Sequence, residues 1–288
     1  APGNVPAYNG QTGPTFTATE IANIKNIWAR VAEAYTPFSN VNVTTVDPAV
    51  AAGQAGSDAQ RLAYYDATPR VLHTVIANGA SNFFGNAGGV SYVNVWSTAV
   101  SSGRATNWAF VNRLGGPTAF HNIHTATTHE IGHAAGLLHQ GDYIGTTQVN
   151  EYSRNNNSST LAPYMGVGYS ATRNTWREGR FNTNVNVIQN DVLRIMQNNP
   201  GIGLFNDGIG RTIETATDLA FLGAGGTIDY NLARGVIVPA SASNPQPIGA
   251  ENYTFGYFRF TSFGGLHNIF LRSGNQFITP GVADPDAT

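Results

Sequence analysis

One short segment most constrains how this chain can fold: it begins at His129 and reads HEIGHAAGLLH. In a helix His129 and His133 are four residues apart, so both imidazoles lie on one face about 6 Å apart along the axis. Glu130 is offset around the same helix, and Gly136 lets the chain leave it through a conformation that is costly for other residues. His139 can then turn back towards the first two rings. The segment therefore predicts a helix, a glycine exit and three imidazoles at one point.

Three imidazoles at one point predict a metal site. They can share one Zn²⁺ at about 2.0–2.1 Å per bond, and three protein ligands leave a fourth position open, as in catalytic zinc sites. Zinc lowers the pKa of bound water to about 7, and Glu130 can take its proton as the water attacks a peptide carbonyl. A bare HExxH also occurs by chance, with ordinary core or surface histidines. The glycine and the third histidine at fixed offsets favour the zinc site.

Composition excludes several other classes of protein. The chain has no cysteine, which rules out a thiol nucleophile, a thiolate metal site and a disulfide framework. Its net charge is -2 with no basic run, so the electrostatic footprint of a nucleic-acid binder is missing. No apolar stretch approaches the ~18 residues that span a bilayer. The chain begins with alanine, which fits either a trimmed chain or a mature chain whose leader was removed.

Hydrophobic periodicity predicts an α+β domain. A first helix is predicted from Thr19–Glu20 to about Tyr35–Pro37, and a loop at Ala49–Gly56. Strands are predicted at Val41–Val46, Arg70–Ala77, Gly89–Trp96 and Asn107–Asn112, and further helices at Thr125–His139 and Asn184–Gln197. His121 and His124 then fall in the loop before the second helix, where they either line a cleft or belong only to the loop.

The composition of the chain changes near Asn198–Gly210, where Asn, Pro and Gly cluster. We therefore predict a catalytic domain over residues 1–205, with an extended arm at 1–14, and a β-rich domain over 206–288. Short strand-like runs at 227–232, 236–238, 253–261 and 267–271 favour a small β-sandwich in the second domain.

The motif His129, Glu130, His133, Gly136 and His139 resembles that of the metzincin zinc metallopeptidases, HExxHxxGxxH followed by a Met-turn. In the segment APYMG, Met165 is the candidate Met-turn residue; its alternative is a plain core methionine. The resemblance implies a twisted mixed sheet, the zinc helix and a C-terminal helix. It also implies one catalytic Zn²⁺ and a secreted, bacterial endopeptidase.

The same resemblance implies further site residues. An extended substrate pairs with an edge strand in the family, which places on the upper rim of the cleft Gly89, Val90, Ser91 and Tyr92. Some members carry a tyrosine two residues after the Met-turn methionine, but Val167 occupies that position here. Tyr164 and Tyr169 are nearby and are the candidate transition-state stabilisers.

The region from Gly210 to Thr261 resembles the pre-peptidase C-terminal domains of bacterial secreted proteases; the alternative is a β-extension specific to this family. The Asn206-Asp207-Gly208 segment is a fragment of a calcium-loop pattern and is better explained as a plain turn. A structural Ca²⁺ is thus left open without being indicated.

We expect a secreted, monomeric endopeptidase that acts on protein or peptide substrates in extended form and neither binds nucleic acid nor spans a membrane. A binding or adhesion module with a purely structural zinc helix is one alternative, and Glu130 argues against it because a structural site needs no base. A zinc hydrolase acting on a non-peptide bond is the other.

Overall fold

The computed structural model describes residues 6–8, 15–79, 85–154, 160–181, 187–204, 208–210, 213–219, 221–222, 227–228 and 258–260. The chain divides into two compact units. The larger unit takes the described residues within Ala1–Ala34 and Asn42–Gly201, and the smaller takes those within Tyr35–Val41 and Ile202–Leu271. Helices and small mixed sheets make this an α+β protein, in agreement with the predicted class.

The described helices are α1 (Ala18–Tyr35), α2 (Pro48–Ala51), α3 (Asp58–Ala67), α4 (Phe120–Ala134) and α5 (Asp191–Asn198), with a 3₁₀ turn at Val111–Arg113. The described strands are β1 (Phe38–Ser39), β2 (His73–Ala77), β3 (Gly89–Val90), β4 (Thr106–Phe110), β5 (Asp142–Ile144), β6 (Thr147–Asn150), β7 (Leu161–Pro163), β8 (Arg173–Thr175), β9 (Glu178–Arg180), β10 (Ile188–Asn190), β11 (Gly203–Leu204), β12 (Thr217–Asp218), β13 (Phe221–Leu222), β14 (Thr227–Ile228) and β15 (Phe258–Arg259). None of these helices is both long and apolar enough to cross a membrane.

A three-stranded sheet in the order β2-β4-β3 organises the larger unit. β2 runs parallel to β4, with His73 opposite Thr106, and β3 runs antiparallel to β4, with Gly89 opposite Ala109. Helix α4 packs against this sheet, and Phe110 at the end of the central strand is fully buried. Strand β3 therefore forms an edge of the sheet next to α4.

The other described strands form small pairs. In the larger unit β5–β6 and β9–β10 are antiparallel and β7–β8 is parallel. In the smaller unit β1–β11 and β13–β14 are antiparallel and β12–β15 is parallel. The three pairs of the larger unit all follow helix α4 in the chain.

The first helix is confirmed, and its start has a clear cause. Thr17 and Glu20 form a capping box, in which the backbone N–H of Thr17 donates to Glu20 Oε2 at 2.7 Å and that of Glu20 donates to Thr17 Oγ1 at 3.2 Å. The cap is therefore Thr17, two residues before the predicted start.

The predicted loop at Ala49–Gly56 is wrong in part, because it contains α2. The carboxylate of Asp47 caps α2 by accepting from the Ala49 N–H at 2.8 Å, and Pro48 occupies the first helical position. Ser57 caps α3 in the same way. Asp47 and Ser57 are typical cap residues, but the run of small residues between them favoured a loop.

One predicted strand is absent, and another is shorter than predicted. Residues 41–46 form no strand, since the Val43 carbonyl accepts from the Trp28 indole at 2.8 Å and Thr44 Oγ1 accepts from the Val46 N–H at 3.0 Å. Of the strand predicted at Gly89–Trp96, only Gly89 and Val90 form β3, and Asn94, with a φ of 58°, turns the chain farther on. Beyond this turn, residues 94–96 donate their backbone N–H groups to the last carbonyls of α4.

The later helices are displaced from their predicted bounds. Helix α4 begins at Phe120 and ends at Ala134, so His121 and His124 lie in its first turns and not in a loop. Helix α5 begins only at Asp191, because Asn190 caps it by accepting from the Leu193 N–H at 2.9 Å. Of the predicted helix at 184–197, residues 184–186 lie outside the described residues and β10 takes 188–190.

Much of the predicted β-rich domain lies outside the described residues, including the runs at 236–238 and 267–271. The candidate calcium segment at 206–207 also lies outside them, as does the arm at 1–14 except for residues 6–8. The boundary after residue 205 and the β-sandwich therefore stay predictions.

Candidate metal centre

The three motif histidines each donate a hydrogen bond from one ring N–H to a neighbouring acceptor. His129 Nδ1 lies 2.6 Å from the Tyr164 carbonyl oxygen, and His133 Nδ1 lies 2.8 Å from that of Leu137. His139 Nδ1 lies 2.9 Å from Glu151 Oε1. Because these oxygens can only accept, each neutral ring carries its proton on Nδ1 and leaves the lone pair of Nε2 free.

The free nitrogens converge. One ligand atom from each of His129, His133 and His139 lies within 4.8 Å of the others, and the Nε2 atoms of His133 and His139 are 2.9 Å apart. Two ligands at the tetrahedral angle around zinc are separated by ~3.3 Å, given bonds of about 2.0–2.1 Å. A metal ion placed between these nitrogens could accept all three lone pairs. The geometry therefore fits a metal ion held by three histidines.

The burial of the rings keeps them in the form that binds metal. Burial lowers the pKa of His129 well below its usual value, and the neighbouring His133 and His139 lower it further. Burial also lowers the pKa of His133 to about 4. Both rings are therefore neutral at neutral pH, and a neutral imidazole is the metal-binding form.

Gly136 directs the third histidine, as the sequence predicted. Helix α4 ends in a Schellman motif, in which the Gly136 N–H donates to the His133 carbonyl at 2.8 Å and the Leu137 N–H donates to the Gly132 carbonyl at 3.0 Å. The φ of Gly136 is 99°, in the left-handed region that favours glycine. The chain thereby reverses within three residues and brings His139 back to the helix.

The carboxylate of Glu130 lies in the same site. Its side chain is 7% exposed, and a Cβ on Gly89 would lie only 2.6 Å from Glu130 Oε1. Gly89 of β3 therefore makes room for the acid. Burial raises the pKa of Glu130 to about 8, and a divalent cation at the histidines would lower it again.

Met165 packs beneath α4. It is fully buried, and a Cβ on Gly132 would lie 2.6 Å from its sulfur, so the thioether touches the helix backbone between His129 and His133. The turn around Met165 also supplies the Tyr164 carbonyl that accepts from His129. This turn thus supports both the helix and one of its histidines.

An open cleft of about 420 Å³ connects these groups. Its lining residues are Ala87, Gly88, Gly89, Val90, Ser91, His129, Glu130, His133, His139, Tyr152, Gly166, Val167 and Tyr169. Of the four predicted rim residues, Tyr92 is absent from this lining; its ring is 52% exposed and lies below the guanidinium of Arg104 at 5.4 Å.

The two candidate tyrosines occupy different places. Tyr169 lines the cleft, whereas Tyr164 is buried with its ring centroid 4.8 Å from that of Trp176 and contributes its backbone carbonyl to His129. Burial raises the pKa of Tyr169 to about 12, and the charge of Glu130 adds to this effect. Its phenol is therefore protonated at neutral pH and can donate a hydrogen bond into the cleft.

Sequence reasoning missed Glu151 and Tyr152, which directly follow the β5–β6 hairpin. Tyr152 places its ring centroid 4.2 Å from that of His139, and Glu151 accepts from the same imidazole. Burial raises the pKa of Tyr152, and the charges of Glu151 and Glu130 raise it further. Nothing in the local sequence marks this pair, since only the hairpin brings it to the motif.

His121 and His124 lie on α4 away from the cleft lining. The ring of His121 lies 3.0 Å from the Gly168 carbonyl oxygen, and that of His124 lies 3.1 Å from the Phe120 carbonyl oxygen. Burial lowers the pKa of His124 to about 3. These rings belong to the packing around α4.

No protein-family model, curated protein or solved structure matches this chain.

Proposed function

We propose that this chain is a secreted zinc-dependent endopeptidase of the metzincin type, which hydrolyses peptide bonds in extended polypeptides. The observation that carries the proposal is that three imidazole lone pairs and the carboxylate of Glu130 open into one cleft. A purely structural metal site would gain nothing from an acid beside its ligands, and burying one is costly.

Zinc is the ion that best suits this donor set. Three histidines with an open fourth side match the ligand number and type of catalytic zinc sites. Zinc bound there would polarise a carbonyl and lower the pKa of water. His129, His133 and His139 would hold it, each oriented by the acceptor at its Nδ1 atom.

Glu130 is suited to move protons in this cleft. None of the described residues forms a hydrogen bond with its carboxylate, so burial alone perturbs its pKa. It can accept the proton of an attacking water and return it to the departing amine. The protonated phenols of Tyr152 and Tyr169 lie in the same cleft and can donate to the oxygen that becomes negative.

The edge strand favours a peptide substrate over other hydrolysable groups. Among the described strands β3 pairs only with β4, and Gly89, Val90 and Ser91 lie along the cleft. An extended peptide can add to such an edge through its backbone, which places a peptide bond close to Glu130. We expect a monomer that takes protein or peptide substrates.

The test is cleavage of unfolded casein by the zinc-loaded protein, the chelator-treated protein and the protein after zinc is returned. We expect one zinc per chain and activity that follows the zinc content. Glu130→Gln keeps the shape of the side chain but not its basicity, so it should retain zinc and lose about 10²–10⁴-fold in turnover.

Three results would separate the alternatives. A wild-type protein that binds no zinc contradicts the metal centre. A protein that binds zinc and cleaves neither peptides nor esters supports a structural module. Hydrolysis of esters or amides other than peptides, abolished in Glu130→Gln, supports a hydrolase of another substrate class.

A further inference from the structure

A buried carboxylate lies behind the candidate metal centre and outside its cleft. Asp191, the first residue of α5, is fully buried. Its Oδ1 atom accepts from the side-chain amides of Gln140 and Gln189, each at 2.9 Å, and its Oδ2 atom accepts from the Arg177 N–H at 3.2 Å. One carboxylate therefore joins two glutamines that come from different segments of the chain.

The two glutamines reach the residues on either side of the third histidine. The amide of Gln189 brackets Leu138, since its Oε1 accepts from the Leu138 N–H at 2.9 Å and its Nε2 donates to the Leu138 carbonyl at 2.9 Å. Gln140 itself follows His139 directly. Its backbone N–H donates to the Met165 carbonyl at 2.7 Å, and its carbonyl accepts from the Ser153 N–H at 2.6 Å.

His139 needs such support more than the other two histidines. His129 and His133 are held by the hydrogen bonds of α4, whereas His139 follows the end of the helix on irregular backbone. The packing around Gln140, which follows His139, is close, because a Cβ on Gly179 would lie 2.4 Å from Gln140 Oε1. A buried charge is a costly way to fill space, so packing alone does not account for an acid at this position.

We propose that Asp191 is a positioning residue for the third metal ligand. Through Gln140 and Gln189 it fixes the backbone on both sides of His139 and thereby sets the affinity of the site for its metal. This inference rests on the metal centre of the proposed function. It means that α5, which does not line the cleft, supports the centre through its first residue.

The experiment compares Asp191→Ala with Asp66→Ala in the full chain. Asp66 is a matched control, since its buried carboxylate also holds loop backbone, accepting from the Gly103 N–H at 2.7 Å and the Ala105 N–H at 3.1 Å, and none of these residues lines the cleft. Zinc dissociation constants are measured by competition with a chromophoric chelator, at a temperature well below both unfolding transitions.

We expect both variants to unfold at lower temperature and only Asp191→Ala to bind zinc more weakly, by about 10–100-fold. Asp191→Asn, which keeps one oxygen for both glutamine amides, should recover most of the affinity. Unchanged zinc affinity in Asp191→Ala, or an equal loss in Asp66→Ala, would overturn the inference.

A second variant keeps the inference testable if Asp191→Ala does not fold. Gln189→Met is close in volume and removes the amide that brackets Leu138, so it should weaken zinc binding by about 10-fold; an unchanged dissociation constant counts against the inference. Absence of zinc binding in the wild-type protein is a different outcome, because it overturns the proposed function and the inference together.

Discussion

Replacing Gly136 by alanine tests whether the glycine exit positions the third histidine. The residue has a φ of 99°, and a Cβ there would lie 2.1 Å from the side-chain nitrogen of Asn198. Gly116 offers a matched control, since its φ is 97° and nothing lies within 4 Å of the position of its Cβ. Both substitutions therefore place an alanine in the left-handed region, and only the one at Gly136 also brings its Cβ into collision with another side chain.

The expected magnitudes follow from these two contributions. An L-residue in the left-handed region costs about 1–2 kcal/mol, and this cost applies to both variants. In Gly136→Ala the amide of Asn198 must also move away from the carbonyls of Ala135 and Gly136, each 3.4 Å from its nitrogen. Losing those contacts adds roughly 1 kcal/mol. We expect a loss of about 2–3 kcal/mol for Gly136→Ala and about 1–2 kcal/mol for Gly116→Ala.

The assay is urea unfolding of the metal-free variants, followed by the zinc competition measurement on each. Gly136→Ala should show the lower midpoint and also a weaker zinc affinity, because Asn198 and the backbone before His139 are displaced. Gly116→Ala should bind zinc as the wild-type protein does. Equal midpoints together with equal zinc affinities would refute the reasoning.

Three further predictions concern single side chains. Gly89→Ala would place a methyl group against the carboxylate of Glu130, so turnover on casein should fall at least 10-fold while zinc content stays at one per chain, and an unaltered rate would contradict this placement. Glu151→Gln replaces the carboxylate that accepts from His139 with a neutral amide, and equilibrium dialysis should show zinc binding weakened by about 10-fold. Burial raises the pKa of Asp191 from 3.8 to about 7, so the contribution of this residue to the stability of the metal-free protein falls as pH rises through that range, by up to roughly 4 kcal/mol at about 1.4 kcal/mol per pKa unit. Urea midpoints from pH 4 to 8 should therefore shift in favour of Asp191→Asn, and a constant difference would show that the acid stays ionised.

The features that the sequence predicted well depend on neighbouring residues. A four-residue histidine spacing, a glycine and a third histidine describe one helix end, and hydrogen bonds within that segment determine its shape. The same is true of α1, whose capping box lies within four residues. Local patterns of this kind carry their own geometry, so the three histidines and the glycine exit could be predicted before the fold was known.

The features that the sequence missed depend on residues far apart in the chain. The alternation at Gly89–Trp96 favours a longer strand, but residues 94–96 instead pair with the end of α4. Glu151, Tyr152 and Asp191 contribute to the centre only because a hairpin and a second helix fold against the motif. No spacing rule connects such residues, since their separation is set by the loops between them.

The separate origins of the ligands have a consequence for the lifetime of the protein. His129 and His133 belong to a helix that can form without metal, whereas His139 follows the glycine exit and leads into the β5–β6 hairpin. An ion bound by all three stabilises the stretch after α4 by an amount that grows with the logarithm of its concentration divided by its dissociation constant. Chelation should therefore leave α4 formed and expose that stretch to proteolysis. If the chain has the proposed endopeptidase activity, metal-depleted molecules would then be cut by loaded ones and removed by autolysis.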